Sequence, residues 1–187
     1  GAREGQEDSF GYSNIQDSDV VNRHGIVAVL ADGMGGLSNG KAVSEYVVKT
    51  AIPLSDRVNP AMPIAPQLED ILRIVNQQVW QEYGQNGIST AGSTAVLAYL
   101  FKNRIYWASV GDSRLYCLRN GSLLRLNEDH DFQNDLFRQY LEGEGTLEEI
   151  AQETQKDSLV SFIGKEELEK IDSSIRGLSL IHISEPT

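Results

Sequence analysis

Cysteine is nearly absent from this chain: Cys117 is the one such residue among 187, which excludes an internal disulfide and any cysteine-based zinc cluster. A reducing compartment, the cytoplasm, is the simplest expectation. Positive charge is also scarce, with 16 Lys and Arg against 27 Asp and Glu and a formal net charge of −11. Such a balance argues against general attraction to nucleic acid or to an anionic membrane surface, and it suits the capture of cations. No apolar run is long enough to cross a bilayer and no secretory leader is recognisable, although the chain starts at Gly1 and not at a methionine. Internal repeats and low-complexity tracts are missing as well, so one domain acting as a monomer is expected.

What is present centres on Ile26-Val27-Ala28-Val29-Leu30-Ala31-Asp32-Gly33-Met34-Gly35-Gly36. An apolar, Val- and Ile-rich run of this length suits a strand buried on both faces, and Asp32 emerges where that strand ends. Gly33, Gly35 and Gly36 let bare backbone approach a ligand closely. Carboxylate and carbonyl oxygens at such a place are what hard cations such as Mg²⁺ and Mn²⁺ bind. The alternative is a tight turn in which Asp32 hydrogen-bonds its own backbone.

Along the chain, a short strand is expected over residues 9–13, followed by a polar turn over 17–22. Val43, Tyr46, Val47 and Ala51 recur at helical spacing within 41–55. Pro53, Pro60, Pro63 and Pro66 mark a loop, after which Leu68, Ile71, Leu72, Val75, Val79 and Trp80 define a second helix ending before Gly84. From Gly92 the period shortens to that of strands: 92–100, 104–110, 113–118 and 122–126, forming an antiparallel meander. Asn120-Gly121 carries the strongest hairpin signal, since both residues tolerate the positive φ of a type I′ turn. Helices are expected over 133–142 and 146–152, and 159–170 is ambiguous. This order points to α+β layers.

Taken together, Arg3-x-x-x-Glu7-Asp8, Ala31-Asp32-Gly33-Met34-Gly35-Gly36, Gly92-Ser93-Thr94-Ala95, Val110-Gly111-Asp112-Ser113-Arg114 and Asn127-Glu128-Asp129-His130 resemble the motifs of the metal-dependent type 2C serine/threonine protein phosphatases, the PPM family. The resemblance implies a four-layer sandwich of two antiparallel β-sheets flanked by helix pairs. It implies hydrolysis of phosphoserine and phosphothreonine in proteins, in concert with a cognate Ser/Thr kinase, by a water bound between two Mg²⁺ or Mn²⁺ ions. Asp32 would bridge those ions, the Gly33 carbonyl and Glu7 would complete the second, Asp8 would hold metal-bound water, and Arg3 would grip the phosphate. A planar fork of donors suits that last task; a solvated N-terminal charge is the other reading of Arg3. Asp112 matches the position that supplies a third metal in bacterial members, or else stabilises its own turn. Arg114, Asp129 and His130 read as structural braces, and Cys117 as a core residue.

Two further metal aspartates of that family, in a Ser-Asp-Gly and an Asp-Asn motif, do not occur before the chain reaches Arg176. Residues 177–187 depart from the pattern and resemble translated adapter sequence, so residues 1–176 read as a partial phosphatase domain, incomplete at its C-terminal side, with a non-native tail. Without those aspartates the 187 residues alone are expected to be inactive. Two other classes stay in play: a phosphatase-fold binding module without activity, and a Mg²⁺-dependent small-molecule phosphohydrolase. Against the latter, Asp32-Gly33-Met34 lacks the Asp-x-Asp arrangement of aspartyl-phosphate enzymes.

Overall fold

The computed structural model describes residues 6–13, 15–35, 39–84, 91–152, 154, 155 and 158–180. Nine strands and five α-helices are present among them: β1 (Asp8–Tyr12), α1 (Ser18–His24), β2 (Ile26–Met34), α2 (Asn39–Ser55), α3 (Ile64–Val79), β3 (Gly92–Ser93), β4 (Ala95–Phe101), β5 (Arg104–Val110), β6 (Tyr116–Arg119), β7 (Ser122–Arg125), α4 (Phe132–Leu141), α5 (Leu147–Gln152), β8 (Asp172–Ser173) and β9 (Leu178–Ser179). The architecture is α+β, with one seven-stranded antiparallel sheet in the order β1-β2-β4-β5-β8 and a separate β6-β7 hairpin. β3 extends the pairing of β2, and β9 pairs with β5 through Ile105↔Leu178. The last of these contacts lies beyond Arg176, in the stretch set aside above as a tail.

Alternation along β2 decides which face is buried. Val27, Val29 and Ala31 are at most 2% exposed, facing α2, and they share one core with Val43, Val47 and Ala51 of α2 and with Leu68, Leu72, Val75 and Val79 of α3, which lies over β5 and against α2. The helical stripes read from the sequence are therefore core. On the opposite face Phe10 of β1 and Leu30 of β2, which are register partners, stay 77% and 41% exposed. Both hairpins turn through positive φ, at Lys102-Asn103 and at Asn120-Gly121.

Four local expectations are corrected. Residues 17–22 are not a polar turn: Asp17 caps α1 by accepting from the Asp19 and Val20 backbone N–H groups at 3.0 and 3.1 Å. Pro53 and Pro66 lie inside helices and not in a loop. Pro66 sits in the first turn of α3, where an N–H has no intrahelical partner anyway, and Pro53 stands in the last turn of α2, so that it forgoes its own bond to the Lys49 carbonyl but any kink falls where the helix is about to stop. The stretch 92–100 divides into β3 and β4 at Thr94, whose side chain takes over a ladder bond. Finally, the meander splits, because Gly111 (φ 99°) turns the chain out of the large sheet before β6 begins. Residues 159–170 contain no helix; they contribute single bridges, Ser93↔Ile163 and Asp131↔Leu159.

Candidate active site

Asp32 reaches the end of the sheet on a strand that is paired along both edges. β1 runs beside it with Asp8 opposite Asp32, and the Gly33 N–H donates to the Glu7 carbonyl at 3.2 Å. On the other side Thr94 replaces one backbone acceptor of the ladder by its hydroxyl. The Thr94 N–H donates to the Asp32 carbonyl at 2.9 Å, and the Asp32 N–H donates to Thr94 Oγ1 at 3.0 Å. Ser93 adds a hydroxyl bond to the same Asp32 carbonyl at 3.1 Å. The backbone that carries the Asp32 carboxylate is thus held from both sides.

Glycine is required where α2 meets this strand. A Cβ on Gly33 would stand 2.1 Å from the Gly40 carbonyl oxygen, and one on Gly40 would stand 3.0 Å from Gly33 and 3.1 Å from Glu7 Oε2. The first turn of α2 therefore lies directly against the Gly33-Met34 peptide and the Glu7 carboxylate, where the positive end of a helix dipole favours negative charge. Ser44, one turn further on, donates to the Glu7 carbonyl at 2.5 Å.

Asp112 arrives from a different part of the fold, on the exposed turn after β5. The Gly111 N–H donates to His130 Nδ1 at 3.1 Å, and the His130 N–H returns a bond to the Gly111 carbonyl at 3.0 Å. Ser113 Oγ lies 2.6 Å from Thr94 Oγ1, linking this turn to the Asp32 strand. Asn127 holds the turn from below, donating to the Ser113 carbonyl at 2.8 Å and accepting from the Leu115 N–H at 2.7 Å. Arg114 pairs with the buried Asp129 at 2.8 Å, and Arg125 binds the same carboxylate. These contacts make Arg114, Asp129 and His130 braces, in keeping with the sequence reading. Burial lowers the His130 pKa below its ordinary value, which suits an imidazole that must accept a hydrogen bond at Nδ1.

Glu7, Asp32, Gly33, Thr94 and Asp112 line one cleft of about 520 Å³. Asp8 faces Asp32 across the β1–β2 register but is not in the lining, and Arg3 lies outside the described residues. Among the described residues no three His, Cys, Asp or Glu side chains form a metal-ligand cluster. The donor chemistry nonetheless fits a hard cation: the titratable lining consists of carboxylates, while the buried His130 is occupied by Gly111. Sequence reasoning gave no task to Thr94, Leu159 or Phe162, and it missed Gly40. Only the glycine at the head of a helical stripe offered a signal for that last residue.

The protein phosphatase 2C family profile matches residues 1–156. The chain belongs to the protein phosphatase 2C family. It is 31% identical over 180 residues to the serine/threonine phosphatase Stp of Listeria welshimeri, an alignment covering 92% of this chain and 67% of that one. Protein phosphatase PhpP of Streptococcus pneumoniae is 28% identical over 160 residues, with 83% and 64% covered. Among solved structures, the serine/threonine phosphatase of S. agalactiae superposes with a TM-score of 0.71 at 25% identity, covering 93% of this chain and 69% of that chain. The Mycobacterium tuberculosis serine/threonine phosphatase PstP gives 0.69 at 26% identity, with 94% and 68% covered. The chain is thus a phosphatase of this family, built on the family's α+β fold and spanning about two thirds of the length of these relatives.

Proposed function

We propose that this phosphatase hydrolyses phosphoserine and phosphothreonine in protein substrates with the help of two Mg²⁺ or Mn²⁺ ions, a third being held near Asp112. The observation that carries this reading is the convergence of Glu7, Asp32, Gly33 and Asp112, from three separate segments, on one cleft. Asp32 and the Gly33 carbonyl, with Glu7 beside them, are the residues to hold the first pair of ions, and Asp8 and Asp112 supply outer carboxylates. When bound, divalent cations offset phosphoryl charge and acidify water, which supplies a nucleophile at neutral pH. The chain's own part is positioning. Thr94 and Ser93 keep the Asp32 backbone in place, α2 presses on Gly33, and the Thr94–Ser113 contact sets the Asp112 turn relative to the strand. Arg3 is the phosphate anchor in this reading, because a guanidinium offers paired donors to two phosphoryl oxygens. Relatives named as protein phosphatases support phosphoprotein substrates; a partner kinase, a cytoplasmic site of action and a monomeric state complete the proposal.

The test is hydrolysis of phosphoserine and phosphothreonine peptides by the full-length protein, with Mn²⁺ and after chelation. Turnover that needs the metal supports the reading. Metal binding without turnover of any phosphopeptide would identify a binding module instead.

A further inference from the structure

The cleft is lined by two kinds of side chain: the carboxylates and Thr94 are polar, whereas Met34, Leu159 and Phe162 make an apolar wall. We propose that this apolar wall reads the residue flanking the phosphorylated side chain, so that the phosphatase prefers phosphopeptides with an apolar neighbour over those with an acidic one. The proposal rests on the phosphatase reading above and adds a substrate preference to it.

Three observations carry it. First, the wall is continuous. Met34 is the register partner of Gly92, and the Phe162 ring occupies the space above that glycine, its Cδ2 2.5 Å from where a Gly92 Cβ would stand. A side chain at position 92 would evict the ring. Second, the wall is built and not a loose loop. Ser93 and Ile163 exchange both backbone bonds at 2.9 and 2.8 Å, the Val160 N–H donates to the His130 carbonyl at 2.9 Å, and Lys165 Nζ sits 5.9 Å from the centre of the Phe162 ring. Third, Met34, Leu159 and Phe162 are all half-buried, so each presents apolar surface to the cleft while anchored behind.

Size and charge complete the argument. A cleft of about 520 Å³ falls in the range that takes a whole small ligand, leaving room beside one phosphoryl group for a neighbouring side chain. An apolar neighbour gains by leaving water against the Met34–Phe162 wall. An acidic neighbour gains nothing there, because its carboxylate would have to leave water for an apolar surface.

The experiment compares phosphothreonine peptides with Leu, Ser or Asp on either side of the phosphothreonine, using the full-length enzyme loaded with Mn²⁺. For each variant, kcat/KM is divided by that for p-nitrophenyl phosphate, which has no flanking residue. The expected result is a preference for Leu over Asp of about tenfold or more, carried by KM, as one apolar pocket contact provides. Phe162→Ala should reduce the ratio toward one, and Phe162→Leu should restore most of it. Anisotropy measurements with non-hydrolysable phosphonate peptides should give the same order of affinities. Equal rates for Leu and Asp peptides, or a Leu preference that survives both Phe162→Ala and Leu159→Ala in folded protein, would overturn the proposal while leaving the phosphatase reading intact. No turnover of p-nitrophenyl phosphate or of any peptide by the wild type with Mn²⁺ would overturn both.

Discussion

The half of the molecule that carries Asp32 and the half that carries Asp112 are held by different forces. Around Asp32, β2 is flanked by paired strands and covered by α2 and α3, whose inward residues Val43, Val47, Leu68, Leu72, Val75 and Val79 are fully buried. Around Asp112, the β6-β7 hairpin leaves Leu118, Leu123 and Leu124 at 73%, 64% and 47% exposure, and α4 buries no residue. Polar braces do the holding there: Asn127, His130 and the Arg114–Asp129–Arg125 group. Hydrophobic burial fixes Asp32 with a large and non-directional force, whereas a handful of directional bonds fixes Asp112. Asp32 is therefore held by packing, whereas the position of Asp112 depends on individual side chains.

The largest effect should come from Asp32→Asn, which removes charge but keeps shape. Phosphopeptide turnover should fall by about a thousandfold or more, since losing charge stabilisation at a metal-assisted site is worth several kcal/mol, while the thermal midpoint of the apo-protein should barely move. Steady-state kinetics beside calorimetry checks both halves of that statement.

Next, two leucines set the halves against each other. Leu72→Ala, at a fully buried position in α3, should cost about 2–5 kcal/mol in denaturant unfolding. Leu123→Ala, on the exposed hairpin, should stay within about 0.5 kcal/mol. Equal costs would erase the contrast.

Asp129→Ala should lie between them, at about 1–3 kcal/mol, because Asp129 is the buried partner that gathers two arginines. Its effect on Mn²⁺ affinity should be confined to the Asp112 end of the cleft. Isothermal titration with Asp129→Ala beside Asp112→Asn would show whether the two variants weaken the same binding event.

The smallest effect is in pH. Burial lowers the folded-state pKa of His130 below the unfolded value near 6.5, so between those two values the unfolded chain holds a proton that the folded chain does not. Stability should be fully present above about pH 6.5 and should decline as the pH falls through that window. His130→Gln should flatten this slope in a series of unfolding curves; an unchanged slope would assign it to other groups.

Much of this was legible in the sequence, and the division follows the same two forces. Helical stripes in α2 and α3 carry their burial in their spacing, so that core could be read directly; the apolar β2 run reads as buried on both faces and ending at Asp32, whereas one face stays exposed at Leu30 and pairing carries the strand on to Met34. The joining of Glu7, Asp32 and Asp112 in one cleft came only through the family motifs, because no local pattern states which distant turns meet. α1 was missed since a seven-residue helix with no buried face has no apolar period, and only its cap, Asp17, announces it. The segment 159–170 is ambiguous because Val160 and Ile163 are held by long-range backbone bonds to His130 and Ser93, which leave no periodic trace. Thr94 shows the same limit: its hydroxyl matters through a partner 62 residues away.

The central claim is that carboxylates from the residue before β1, from β2 and from the turn after β5 form one cation-dependent phosphatase cleft. The most direct test is the turnover of a phosphothreonine peptide by the full-length protein as Mn²⁺ is titrated in after chelation, run in parallel for the wild type and Asp32→Asn. The account predicts saturable activation of the wild type and almost none for the variant; equal activity in excess chelator and in saturating Mn²⁺ would contradict it.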